Sequence, residues 1–198
     1  MTGIRMIYME SWTFYWLIVP NLLLAWIPLV ASQLALRTAG SGGKATAVRA
    51  GWLIAWLAFY PNASYIMTDL IHITWASTVG SLYYDLFMTL FAAMLGWLLG
   101  ALSLYMLHTG INRRWSERNG MLFAAIVVLL GSIGVYLGRV LRFNSWDLIV
   151  RPGRIAADVV HLATQPKALL FIAAFAVFTG AMYALFYKLM RLGQTNVK

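Results

Sequence analysis

The chain is a succession of long apolar stretches with Lys and Arg gathered mainly at their ends, a pattern that no water-soluble fold of this size can bury. It is 62% hydrophobic and 11% charged, with a mean hydropathy of +0.75 over 198 residues. An ordinary soluble domain is roughly 45–50% apolar. Without water to satisfy backbone amides, a segment inside a bilayer closes its hydrogen bonds internally, and roughly 20 residues cross as a helix. The expected fold class is therefore all-α, a polytopic membrane helix bundle of about five spans. Short connections leave no room for a separate soluble domain, so residues 1–198 form a single integral membrane domain.

The first span covers 12–36, with Trp12, Tyr15, Trp16 and Trp26 suited to interfacial or packed positions. Its apolar core is longer than the 7–15 residues of a signal peptide, and Arg37, Lys44 and Arg49 follow it while only Arg5 precedes it. A retained helix with its amino end outside is expected. The 38–46 stretch holds Gly40-Ser41-Gly42-Gly43 and reads as a flexible loop. The second span starts near Ala50 and meets Pro61, which lacks an amide hydrogen and disfavours helical angles at Tyr60, so a kink or break belongs there. Spans three, four and five are expected over 82–108, 121–143 and 168–190, and a short interfacial helix over 154–164.

Five crossings put Arg37, Lys44, Arg49, Arg113, Arg114, Arg118, Lys188, Arg191 and Lys198 inside, nine of the fifteen basic residues. That bias agrees with a cytoplasmic carboxyl end in an inner membrane. The formal charge of +9 is thus orientation and contact with anionic lipid rather than nucleic-acid binding. With no cysteine there is no disulfide, thiolate metal site, cysteine nucleophile or iron–sulfur cluster. No phosphate-binding glycine loop, His-Glu-x-x-His or nucleophile elbow occurs.

The informative polar segment lies between Tyr60 and Ile73. Asn62, Tyr65, Asp69 and His72 are three, four and three residues apart and share one face of an α-helix. Ser81, Tyr83, Tyr84 and Asp85 open the third span, and Tyr136, Arg139, Arg142, Asn144, Trp146 and Asp147 close the fourth. The topology brings all three groups to one membrane face. A charge at membrane depth needs a partner, and Asp69 and Asp85 balance Arg139 and Arg142.

Several uses of this constellation stay open on residue type alone. It is a structural ion-pair network locking helix ends; or Asp69, His72 and Asp85 are acid/base groups or ligands of a divalent metal. Alternatively Arg139 and Arg142, with Arg151 and Arg154 nearby and Asn62, Tyr65, Asn144, Trp146 and Asp147 around them, grip the headgroup of an anionic lipid or polyprenyl-linked ligand. A small transporter or ion-conducting homo-oligomer coupled through Asp69 and Asp85 is the rival reading. Gly96-x-x-x-Gly100 and Gly134-x-x-x-Gly138 suit close packing inside the monomer. His108 reads as a snorkelling or solvated residue near the inner interface, and His161 as an outer-loop residue.

Three segments carry a family resemblance: Asn21-Leu22-Leu23-Leu24-Ala25-Trp26-Ile27-Pro28, the run from Tyr60 to His72, and Gly138-Arg139-Val140-Leu141-Arg142-Phe143-Asn144-Ser145-Trp146-Asp147. In these the chain resembles a family of uncharacterised bacterial integral membrane proteins, a domain of unknown function. The family wording has Leu at Tyr60 and Pro at Ser64, departures that leave Asp69 and His72 in place. The resemblance implies a bacterial cytoplasmic-membrane protein and supplies no activity.

Overall fold

Each apolar stretch becomes a helix. The computed structural model describes the backbone of residues 12–75 and 79–195 and the side chains within 18–70, 82–147 and 150–193. In chain order these are α1 (Trp12–Arg37), α2 (Gly43–Tyr65), a 3-10 helix (Ile66–Trp75), α3 (Val79–Arg114), α4 (Glu117–Arg139), α5 (Asp147–Val150), α6 (Pro152–Leu162) and α7 (Pro166–Thr195). The protein is a helical membrane bundle.

Helix boundaries follow local chemistry. Ser116 caps α4 by accepting from the Asn119 amide at 3.2 Å, and Glu117 puts a negative charge in the first turn. Pro152 opens α6, where a missing amide hydrogen costs nothing. The helix expected over 154–164 is present, with Ile155 and Leu162 buried on its inner side. The loop expected over 38–46 is shorter, because α2 begins at Gly43, and Gly40 supplies the left-handed φ of +95° for the turn.

The expected break at Pro61 also moves. The α-helix runs on through Pro61 to Tyr65 and changes to 3-10 geometry only at Ile66. Close packing on both sides explains the continuity. A Cβ on Gly134 of α4 would lie 2.8 Å from Cβ of Pro61, and one on Gly96 of α3 would lie 2.9 Å from the carbonyl oxygen of Ala63. The proline ring sits on a glycine, and the segment after it is held between two helices at backbone distance. Both Gly-x-x-x-Gly motifs therefore pack within the monomer, Gly100 against Ala63 and Gly138 against Tyr65.

Leu36 of α1 meets Gly110 of α3, Trp56 of α2 meets Ser103 of α3, and Val128 of α4 meets Gly180 of α7. So α1, α3 and α7 run one way while α2 and α4 run the other. Among the described residues, four helical segments are long and apolar enough to cross a membrane: Ile18–Arg37, Leu82–Arg114, Glu117–Arg139 and Pro166–Gly193. The fifth expected span, α2, has the length but carries Lys44, Arg49, Pro61 and Asn62, and it packs against α1, α3 and α4. Only 17% of the α7 span is buried, which puts that helix at the periphery beside α4.

The two ends of the bundle differ in charge. Among the described residues, one end gathers Arg37, Lys44, Arg49, Arg113, Arg114, Arg118, Lys188 and Arg191 with Glu117 as its acid. The other holds Arg139, Arg142, Arg151, Arg154 and Lys167 with Asp69, Asp85, Asp147 and Asp158.

Candidate functional site

Three elements meet at the mixed-charge end. The 3-10 helix tightens the chain after Tyr65, and Thr68 bonds its hydroxyl back to the Tyr65 carbonyl at 2.6 Å. Asp69 follows, only 2% exposed. Its Oδ1 accepts from Nη2 of Arg139 on α4 at 2.9 Å, and its Oδ2 accepts from Nδ2 of Asn21 on α1 at 3.2 Å. Arg139 Nη2 also donates to the Thr68 carbonyl, and Nη1 reaches the Tyr65 hydroxyl at 3.4 Å. The guanidinium lies over the Tyr65 ring, 5.1 Å from its centroid. Arg139 thus joins α4 to the end of α2 and the 3-10 helix, and Asn21 ties α1 to the same Asp69, making one knot.

The other expected site residues divide around this knot. Asn62 donates to the Ser145 hydroxyl at 3.1 Å and ties α2 to the loop after α4. Asp85 is buried near the start of α3, with its carbonyl accepting from Thr89 at 2.7 Å. Arg142 is a correction. A helix continuing past Arg139 would put it on the same face, but α4 stops at Arg139 and the chain turns, leaving Arg142 exposed with a left-handed φ of 59° and no ion pair among the described residues. Asn144 and Trp146 are exposed as well, and Asp147 accepts from the Asn144 amide at 2.8 Å, which shapes that turn. The side chain of His72 lies outside the described residues. Among the described residues no three His, Asp or Glu gather closely enough to hold a metal ion.

Asn21 was not among the expected site residues. A lone amide in an apolar span is the signal that points to it, since such a group needs a partner in the bundle.

A second polar cluster stands at the basic end, roughly 35 Å away along α3 if the 23 residues from Asp85 to His108 rise 1.5 Å each. His108, expected to be solvated, is 2% exposed. Its Nδ1 pairs with the Tyr183 hydroxyl at 2.9 Å and its ring stacks on Tyr187, centroids 4.5 Å apart and planes 9° apart. Asn112, one turn on, donates to the Tyr187 hydroxyl at 3.0 Å. The spacing of four on both helices, His108 with Asn112 and Tyr183 with Tyr187, is what could have revealed the cluster. His161, in contrast, is exposed, though it stands in the last turn of α6 rather than on a loop.

Residues 20–182 match a family described as protein of unknown function (DUF1361). The chain belongs to that family. No match is found among curated proteins or solved structures. The family region contains Asn21, Tyr65, Asp69, Asp85, His108 and Arg139, and ends one residue before Tyr183.

Chemically, the DUF1361 knot is built for holding. Both oxygens of Asp69 are engaged, and Arg139 spreads its donors over a carboxylate, a carbonyl and a phenol. Arginine keeps its proton when desolvated and presents a planar fork, so it can bridge several acceptors where lysine could not. What remains accessible at this end is the segment beyond it, where Arg142, Trp146, Arg151 and Arg154 are exposed and Arg154 lies over the Phe143 ring, 5.7 Å from its centroid.

Proposed function

We propose that this chain binds the anionic headgroup of a lipid or polyprenyl-linked envelope precursor at the mixed-charge end of the bundle, in a bacterial inner membrane. The observation that carries the reading is Arg142. A non-glycine residue held at positive φ costs on the order of 1–3 kcal/mol and such strain gathers where a side chain must be presented. Here the strained residue is an exposed arginine in the same stretch of chain as the exposed Trp146, Arg151 and Arg154. Exposed guanidiniums suit a phosphate, which they can grip with paired hydrogen bonds.

The charge distribution supports an outside amino end and a cytoplasmic carboxyl end, with this rim facing outward. The engagement of both Asp69 oxygens supports binding rather than acid/base turnover by Asp69 and His72. A transporter coupled through Asp69 and Asp85 would have to pull Asp69 from Arg139 and Asn21 in every cycle. A second reading has its own support: the knot from Asn21 to Arg139 is a fastener without chemistry, and its full pairing is what such a role requires.

The test is titration of the purified chain in neutral micelles with a short-chain polyprenyl phosphate. Wild type should bind, and the triple substitution Arg142→Gln, Arg151→Gln, Arg154→Gln should weaken binding about tenfold or more with an unchanged melting temperature. Equal binding by both proteins, or none by wild type, leaves the fastener as the reading of this end.

A further inference from the structure

We propose that the cleft between α4 and α7 at the basic end is a binding site for one anionic phospholipid, with an acyl chain between the helices and the phosphate on Lys188 and Arg191. This site is independent of the rim at the opposite end.

The cleft has a volume of about 800 Å³, within the range of ligand pockets. Small residues create it. Ala176, Gly180 and Ala184 are four apart on α7 and make one stripe, facing Ala124, Ala125 and Val128 of α4. A stripe of that kind ordinarily lets two helices touch. Here it lines an apolar trough.

A buried polar atom marks the trough as unfinished. His108 lines it and is nine-tenths buried by a wide margin, yet its Nε2 has no hydrogen-bond partner in the protein. With the Tyr183 hydroxyl donating to Nδ1, the ring proton sits on Nε2, a buried donor without a partner on a residue that lines the cleft. Buried donors are almost always satisfied. An ester or phosphate oxygen of a lipid would satisfy this one. Gly120 keeps the imidazole there: a Cβ at that position would lie 2.6 Å from Cδ2 of His108.

Charge selects the occupant. Lys188 and Arg191, three apart on α7, share a face at the mouth of the cleft, and Glu117 is the acid opposite them, paired with Arg191. Arg113, Arg114 and Arg118 lie at the same end of the bundle, so this end attracts anionic headgroups over zwitterionic ones.

The experiment is native mass spectrometry of the full chain taken from bilayers holding equal parts phosphatidylglycerol and phosphatidylcholine. The expected result is one phosphatidylglycerol retained per chain. Ala184→Phe, which fills the trough from its lipid-facing side, should cut retention about tenfold. The pair Lys188→Gln, Arg191→Gln should abolish the preference for phosphatidylglycerol while a lipid is still retained, and the triple arginine variant at the other end should change neither quantity. Wild type retaining no lipid, both lipids equally, or a neutral isoprenoid in their place would overturn the proposal. So would undiminished retention by a folded Ala184→Phe. If that variant does not fold, the headgroup preference of wild type and its loss in the lysine–arginine pair decide the matter.

Discussion

The two polar ends of this bundle are equally buried and unequally satisfied. Asp69 and His108 are each 2% exposed, but Asp69 has partners on both oxygens while His108 has one ring nitrogen bonded and the other bare. The difference teaches that burial of an ionisable group does not by itself mark a ligand site. A charge that the fold has fully paired fastens helices, whereas a buried group the fold leaves short of a partner is where something else belongs. The two buried groups should accordingly respond to mutation differently, in stability at Asp69 and in occupancy at His108.

The largest effect is expected at the knot. Asp69→Ala leaves Arg139 without its carboxylate and should lower stability by about 3–5 kcal/mol, measured by denaturation in detergent micelles. The double substitution Asp69→Leu, Arg139→Met should recover most of that loss, since an apolar pair can replace a buried ion pair. A single-mutant loss near the roughly 0–1 kcal/mol of an exposed pair would show that the knot fastens nothing.

The next effect probes the packing that positions the knot. Gly134→Leu forces a side chain into the ring of Pro61 and should cost about 1–3 kcal/mol by overpacking. Gly153→Leu, where nothing lies within 4 Å of the added Cβ, is the control and should be silent. Equal losses from both would detach stability at this end from the Pro61 contact.

Much of the knot was legible in the sequence because a charge in an apolar span advertises its need for a partner. Asp69, Arg139 and Tyr65 were picked out on that ground and do meet. Arg142 lies outside the knot because α4 stops at Arg139, four residues before the end expected for the fourth span, and nothing in the residues around it announces that stop. The span count rested on the same logic: α2 reads weakly because its polar ends dilute its apolar middle, though its direction still alternates with its neighbours. The basic end was nearly invisible. His108 in isolation looks like a solvated residue close to Arg113 and Arg114, and only the approach of α7 encloses it behind Tyr183 and Tyr187. With the two helices 75 residues apart in sequence, the only local trace is the spacing of four within each pair, which does not say that the pairs meet.

His108→Phe separates the ends more finely. The phenyl ring can keep the stack on Tyr187, loses the bond to Tyr183 and removes the unsatisfied nitrogen, so the stability change should stay within about 1 kcal/mol. Lipid retention should fall. A destabilisation as large as that of Asp69→Ala would make the two ends alike, with His108 a fastener too.

The smallest effect is expected at the mouth of the cleft. Glu117 and Arg191 form the ion pair between α4 and α7, yet their side chains are 56% and 54% exposed, so water and salt screen the attraction. Glu117→Gln should leave the melting temperature unchanged at physiological ionic strength, with a slight decrease only in low salt. It also frees the Arg191 guanidinium, which should raise retention of phosphatidylglycerol. A clear drop in melting temperature that persists in high salt would mean that this contact holds α7 in place. The basic end would then be closed by its own side chains, as the Asp69 end is, and the contrast between the two would fail.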